Sequence, residues 1–506
     1  MASPPVEYQP RVPVQDVLYQ VVRGHYETFR AQAASIRDGE GLPRFVEDEF
    51  RAFLRCGFLA GGFARFRCGD CGLDRFVPFS CKGRALCASC GGRRMADRAA
   101  HLVDHVFPPV PVRQWVLTLP HRLRYRLAWD HDLCRAVVGA FVRTVLRFHH
   151  HAARAAGVRD GRGGAVAVVQ RFGGALNLNV HVHALVMDGV FARAGDGVAF
   201  VPSPPLADLD VAEVLATVVP RVGRLLARHG LGDGDDGVSA PDAWAEEAPI
   251  LAGIAAASVR GTLAMGPRAG VRVRRCGEAA EADEPTSRGR CQARQDGFDL
   301  QARVRVPADE RARLERLCRY ALRPPVTRER LHRTAEGDIL LALRHPWSDG
   351  TTHLLFGPLE LLERLAVLIP RPRVNLILYH GVLAPRAAWR ARVVTCGAWL
   401  DGVPPPATNV TPAPPADAAR GSGRGRLWAE LMRRSFGLDV LACPRCGGRL
   451  RLIALIEEAA VIERILRHLG LPTEIPAPHP ARAPPLPFEA RSRRHSGDET
   501  GFDPCG

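Results

Sequence analysis

The chain has no apolar run long enough to cross a bilayer. The longest, around Ile250 to Val259, is about half of what a spanning helix needs, and Arg260 ends it. The first ten residues lack the charged start and apolar stretch of a secretory signal. A reducing cytoplasm and no membrane partner are therefore expected. Acidic residues are few beside basic ones, 53 against 69, giving a formal charge of +16 and a pI near 9.8. That balance favours a polyanionic partner held through phosphate contacts and counterion release, with nucleic acid first. No repeat at a solenoid period is evident. Tyrosine is scarce, six in 506 residues, which shortens any search for a phenolic nucleophile.

What the chain does have is cysteine, fourteen in all. In a reducing compartment Cys-x-x-Cys pairs read as zinc ligands rather than crosslinks. Cys68 and Cys71, then fifteen residues, then Cys87 and Cys90 predict two knuckles whose four thiolates complete one tetrahedron. Cys56 and Cys81 are left as structural thiols, or as partners of His101 or His105 in a second site. Cys443-Pro-Arg-Cys446 is a lone knuckle, whose zinc would need a distant ligand such as Cys505 or a second copy of the chain. Arg65, Arg67, Lys82, Arg84, Arg93 and Arg94 surround the first module, which suits contact with DNA as well as it suits a purely structural zinc.

With 506 residues and 46% hydrophobic composition, several domains are expected. Residues 1–55 read as a helical segment, with Val17, Leu18, Val21 and Val22 on one face and Phe45, Phe50 and Phe53 on the next. Residues 56–105 form the zinc module, too poor in apolar residues to fold without metal. Strands at 114–120, 165–170 and 176–187 and helices at 131–156 and 211–229 predict an α+β domain on an antiparallel sheet over 110–230. An insertion follows at 231–294. The sheet resumes over 295–400, with strands at 298–306, 338–344, 352–356 and 374–379 and helices at 308–322 and 358–368. Residues 401–426, rich in Pro and Gly, read as a linker; 427–470 as a small Cys-x-x-Cys module; 471–506 as a tail.

Strand alternation in Asn177-Leu-Asn-Val-His181-Val-His183-Ala-Leu sets Asn177, Asn179, His181 and His183 on one face. Two imidazoles at i and i+2 on a rigid strand can share one divalent ion. Only Tyr320 and Tyr379 follow the His pair. Tyr320 falls off the apolar stripe of its helix (Leu314, Leu317, Cys318, Ala321), with Arg313, Arg316 and Arg323 on its own side and Pro324-Pro325 stopping the helix. A phenol among guanidinium groups suits attack on phosphorus, because the cations can hold the scissile and flanking phosphates. Tyr379 lies in an apolar strand and reads as a packed residue. Tyr125 has basic neighbours and no expected metal.

These stretches, with Leu42-Pro-Arg-Phe-Val, Ser80-Cys-Lys-Gly-Arg, Gly91-Gly-Arg-Arg-Met, Gln114-Trp-Val-Leu-Thr-Leu-Pro, Leu317-Cys-Arg-Tyr-Ala-Leu-Arg-Pro-Pro and Tyr379-His-Gly-Val-Leu-Ala-Pro, resemble the rolling-circle transposases of bacterial insertion sequences without terminal inverted repeats, the IS-ninety-one type. They run in family order across residues 42–385. The resemblance implies a zinc module followed by a His-hydrophobic-His (HUH) endonuclease domain. It gives Tyr320 the nucleophile role and His181 and His183 a catalytic Mg²⁺ or Mn²⁺, with Zn²⁺ as the structural metal. A third ligand is expected at Gln301, with Gln170 the second candidate, and water or an acidic residue as the remaining alternatives. Arg316 stands where some members carry a second tyrosine, so the chain resembles the single-tyrosine branch. The partners implied are single-stranded DNA at transposon ends and target DNA, in a bacterial cytoplasm at the nucleoid, with a homodimer allowed. A plasmid replication initiator or relaxase of the same chemistry, and a non-catalytic zinc DNA-binding protein, are the rival readings.

Overall fold

Apolar periodicity and the residues that interrupt it set most of the elements. The computed structural model describes residues 11–36, 40–231, 242–277, 290–395 and 428–482. The expected linker, Cys505, the tail beyond 482, and 232–241 and 278–289 of the expected insertion lie outside the described residues.

Helix α1 (Val17–Ile36) buries Leu18, Val21 and Val22, and α2 (Arg44–Arg55) buries Val46, Phe50 and Phe53, as their spacing predicts. A hairpin of β1 (Phe63–Cys68) and β2 (Asp74–Pro78) leads to α3 (Ala88–His105). Then come β3 (Val112–Thr118), α4 (His121–Trp129) and α5 (His131–Ala155). The Asp130 carboxylate caps α5 by accepting the Leu133 N–H at 2.8 Å. Strands β4 (Gly164–Phe172) and β5 (Leu178–Met187) meet in a turn so tight that a Cβ on Gly173 would lie 2.4 Å from Asn177 Oδ1. Next are β6 (Gly189–Ala194), β7 (Gly197–Pro202), α6 (Asp208–Arg228), α7 (Ala243–Glu247) and α8 (Pro249–Arg260). They are followed by β8 (Arg274–Cys276), β9 (Gln292–Gln295), β10 (Phe298–Gln301), β11 (Arg305–Val306) and α9 (Arg311–Leu322). After α9 come β12 (Leu331–Arg333), β13 (Ile339–Ala342), β14 (His353–Phe356), α10 (Pro358–Ala366), β15 (Ile377–Gly381) and α11 (Arg390–Thr395). The described chain ends with α12 (Trp428–Phe436), β16 (Leu450–Ile456) and α13 (Ala459–His468).

The main sheet runs β15-β4-β5-β3-β10-β9, with β11 also on β3, and every pairing is antiparallel. The fold is α+β, as expected. Two strand assignments need correction. Residues 298–306 do not form one strand: both halves pair with β3, but the register shifts by one residue between Gln301 opposite Val116 and Arg305 opposite Arg113. Strands β13 and β14 do not return to the main sheet either: they pair with β12 and β8 in a sheet of their own.

The strand with the His pair lies inside the sheet, between β4 and β3. On one face Val180, Val182 and Ala184 join a core with Val137, Val138, Phe141 and Val145 of α5. On the other, Leu185 and Met187 meet Leu102 and Val103 of α3 and Leu314, Leu317 and Cys318 of α9. Because alternation has period two, His181 and His183 share this second face, beyond the end of the apolar patch. The small unit near the C-terminus does not stand apart: β16 pairs with β1, from Phe63 opposite Ile456 to Cys68 opposite Leu450.

Candidate active site and metal centres

His181 and His183 are 9% and 3% exposed, with ring centroids 5.0 Å apart. Burial pushes His181 down to about 4, and burial together with neighbouring His181 holds His183 well below the usual range. Both rings are therefore neutral at pH 7 and keep a lone pair for an ion. His181 Nδ1 donates to the Asn179 carbonyl at 2.9 Å, which leaves Nε2 as its ligating atom. Gln114 Nε2 lies 2.9 Å from His183 Nδ1; a half-turn of that amide, which would set its oxygen against an Nδ1–H, leaves Nε2 as the free atom.

Tyr320 comes to this pair from α9. Its ring stands edge-on to His183 with centroids 5.7 Å apart, and it is 46% exposed. The Arg323 guanidinium lies 4.2 Å over the Tyr320 ring and 5.7 Å from Phe172. The other two arginines expected beside the phenol differ: Arg313 is paired with Glu310 at 3.0 Å, and Arg316 is exposed. On the zinc helix Arg93 is exposed, while Arg94 is tied to the Lys82 and Gly83 carbonyls.

The two glutamines stand at different distances from the His pair. Gln301 is opposite Val116, which is opposite His183, so two strand spacings, roughly 10 Å, separate it from the ring. It is also exposed and turned to Asp299. Gln170 is directly opposite His181 on the adjacent strand. Its Nε2 donates to the Tyr320 and Ala321 carbonyls at 3.2 and 2.7 Å, tying the sheet to the end of α9. Gln170 Oε1 and His183 Nε2 are both buried without a hydrogen-bond partner. Buried polar atoms left without a partner are costly unless something binds them. Two imidazoles and an amide oxygen fit a divalent ion.

Gln114 of β3 escaped the sequence reading although alternation puts it on the His face. Tyr125 is accounted for by stacking on Trp244 at 4.9 Å and donating to Asp242 at 2.8 Å. Tyr379 packs against the core beneath α3 and α9, and burial raises its hydroxyl. A cavity of about 460 Å³ opens beside Gln170 and Arg323, walled by Arg84, Arg98, Phe172 and Tyr379 and lined by no Asp or Glu among the described residues.

The expected four-cysteine site is not formed. Cys68 and Cys71 do not share an ion position with Cys87 and Cys90; the cysteines divide into two quartets, Cys56, Cys81, Cys87, Cys90 and Cys68, Cys71, Cys443, Cys446. The reason is long-range strand pairing: β16 on β1 brings the Cys443 knuckle against the β1–β2 turn. Neither His101 nor His105 belongs to a quartet among the described residues. Sulfurs lie 3.4 to 3.8 Å apart in the first quartet and 3.6 Å apart in the second. Four thiolates at the usual bond length from one zinc ion stand about 3.8 Å apart, and a disulfide would bring two sulfurs to about 2.05 Å. Both quartets fit structural zinc. Hydrogen bonds from Cys56 and then Cys81 bring Cys87 down to about 7, which favours the thiolate that zinc needs.

The first quartet is built into the support of the candidate site. Glu49 of α2 accepts the Arg84, Ala85 and Leu86 N–H groups of its loop. Gly91, next to Cys90, packs against Pro324, and Arg328 bonds both Ser89 and Asp16. The zinc helix thus abuts the turn that follows Tyr320.

No helix among the described residues is long and apolar enough to cross a membrane. No curated protein matches the chain, and neither does a solved structure. Two family models do match. One, described as "Transposase zinc-binding domain" and named for IS91, covers residues 21–119, and the other, described as "Putative transposase", covers residues 164–390. The first spans the Cys56 quartet and the second both the His pair and Tyr320, and with the two in this order the chain belongs to the IS91-type transposases.

Proposed function

We propose that the chain nicks and rejoins single-stranded DNA through Tyr320, in the manner of an HUH endonuclease. The observation that carries this reading is the edge-on approach of the Tyr320 ring to His183, whose Nε2 is buried and unpartnered, with Arg323 over the phenol. His181 Nε2, His183 Nε2 and Gln170 Oε1 would hold Mg²⁺ or Mn²⁺, which when bound polarises a phosphate oxygen as a Lewis acid. Tyr320 Oη attacks the phosphorus, the bond from phosphorus to the 3′ oxygen breaks, and the proton lost by the phenol is balanced by the one taken up by that oxygen. The products are a 5′-phosphotyrosine and a free 3′-hydroxyl. Attack by that hydroxyl, or by one on target DNA, re-forms the phosphodiester and returns the phenol, so no high-energy cofactor is consumed. Arg323 steadies the phenol, Gln170 fixes the end of α9 against the His strand, and the arginine-walled cavity holds the flanking strand, where Phe172 and Tyr379 offer faces for bases.

The test is a labelled single-stranded element end incubated with protein and Mn²⁺, resolved on a denaturing gel. A covalent protein–DNA band is expected with the natural chain and with Tyr379→Phe, and none with Tyr320→Phe. A non-catalytic zinc DNA-binding protein would leave no band in any lane, and a hydrolytic nuclease would cut without one. Gln170→Ala should weaken Mn²⁺ binding by about 10- to 100-fold, measured by titration calorimetry on a Tyr320→Phe background, and Gln301→Ala should leave it unchanged. The opposite result would return the third ligand to Gln301.

A further inference from the structure

On the side of the sheet away from the His pair, α5 and α6 pack against each other. Between them lies a groove of about 570 Å³ into which Arg143, Arg147, Arg221, Arg224 and Arg228 converge. Arg143 and Arg147 are one helical turn apart on α5, and Arg221, Arg224 and Arg228 follow the same spacing on α6. Among the described residues, no carboxylate lines the groove, and no ion pair reaches any of the five. Arg221 has a polar partner, Thr144 Oγ1 at 2.9 Å. The other four are exposed. Like charges at helical spacing repel one another, so five arginines gathered without a counter-charge are a liability unless an anion neutralises them.

The remaining walls, Ala140 and Leu225, show what kind of anion fits. A groove for single-stranded DNA supplies aromatic faces on which unstacked bases lie, and the cavity beside Tyr320 has two. This groove has none, so it can track phosphates but cannot hold splayed bases. We propose that it binds the sugar-phosphate backbone of duplex DNA, as a second DNA site separated from the strand being cut by the thickness of the sheet. Its contacts are sequence-independent, because guanidinium groups reach phosphates and no base edge is read. Such a site would keep a duplex segment docked while the opposite face works on a single strand.

The test replaces Arg143, Arg147, Arg224 and Arg228 together by Ala on a Tyr320→Phe background, so that no strand is cut. Fluorescence anisotropy with a short duplex free of element sequence is followed over a range of salt. Each phosphate contact contributes about 0.9 to the slope of log affinity against log salt on duplex DNA, so the slope should fall by about 3 to 4. Affinity at low salt should fall at least tenfold. The matching variant with Tyr320 intact should form the covalent adduct on a short single strand at the natural rate. The corresponding four Arg→Lys changes should keep the duplex slope. An unchanged duplex slope overturns the inference, as does a Lys variant that binds duplex as poorly as the Ala variant. Equal losses on duplex and single strand would also overturn it. Since the duplex readout does not use Tyr320, a failure here leaves the cleavage reading standing, and the reverse holds too.

Discussion

The quartet of Cys56, Cys81, Cys87 and Cys90 sits in the main core, where three of its cysteines are buried beside Phe53, Leu54 and Leu86. The quartet of Cys68, Cys71, Cys443 and Cys446 has for buried company little more than Leu450, and Cys446 is exposed. The donor atoms are the same, so the difference lies in what each ion would hold. The inner quartet fastens a loop already gripped by Glu49 to a helix that leans on Pro324. The outer one closes a contact between residues more than 370 positions apart, where closing the loop carries a large entropic cost and little apolar area offsets it. An ion at the inner quartet would clamp elements of the main core together, whereas one at the outer quartet would stand in for a core.

The largest effect expected from this contrast is on the inner site. Cys87→Ser removes a ligand that is 1% exposed and leaves two buried thiols, Cys56 and Cys90, and the half-buried Cys81 without their ion. Metal-linked folding energy in small zinc modules is on the order of 10 kcal/mol, comparable with the whole stability of a typical domain. The variant should lose one zinc equivalent by mass spectrometry under native conditions, melt well below the natural chain, and form no adduct. A Cys87→Ser protein with unchanged melting and activity would mean that the inner ion is dispensable, and would reverse the contrast.

Gly91→Ala tests the connection between that site and Tyr320 without touching a ligand. An added Cβ would fall 2.7 Å from Pro324 Cβ, and the proline ring cannot rotate out of the way. The zinc helix and the turn after α9 must separate by some tenths of an ångström, which moves the phenol relative to the His strand. Small displacements of reacting groups are expensive in rate. About a tenfold slower adduct formation is expected, with both zinc equivalents retained. An unchanged rate would show that the inner quartet supports the fold but not the nucleophile.

The same contrast explains what could be read before the structure. Sheet strands, helices α5, α6 and α9, and the face shared by His181 and His183 follow from local periodicity, because each element buries a face that its own spacing defines. Ligand grouping does not follow. Fifteen residues between Cys71 and Cys87 suit one tetrahedron, but the partner of a knuckle is decided by which strand lies beside it, and β16 reaches β1 from the far end of the chain. The knuckles differ in conformation rather than in sequence, since all three read Cys-x-x-Cys-Gly. Cys68-Gly-Asp-Cys71-Gly72 and Cys443-Pro-Arg-Cys446-Gly447 both end in a glycine at positive φ, 70° and 72°, whose N–H returns to the first cysteine carbonyl. Cys87-Ala-Ser-Cys90 instead runs into a helix, with Gly91 outside the left-handed region. Matching turns identify matching partners. The choice between Gln170 and Gln301 was unreadable for a related reason: both are polar positions on flanking strands, and only register puts one beside His181 and the other two strands off.

The smallest effect on catalysis is expected at the outer quartet. Cys443→Ser should lower the zinc content by one equivalent, since three thiolates with an exposed fourth position bind the ion weakly. The strand pairing of β16 with β1 then depends on Phe63, Ile456, Ile462 and Leu466, a cluster of four buried residues, and limited proteolysis should cut between 436 and 450 where the natural chain resists. Two anchors limit how far this spreads. Arg434 of α12 remains paired with Asp104 at 2.6 Å and Glu315 at 2.7 Å, and none of the outer cysteines touches β4, β5 or the end of α9. Adduct formation should therefore stay within about twofold of the natural rate, the size of an ordinary surface change. If Cys443→Ser abolished the adduct while β16 stayed protease-resistant, the outer ion would belong to the reaction rather than to the architecture, and the division of labour between the two quartets would have to be redrawn.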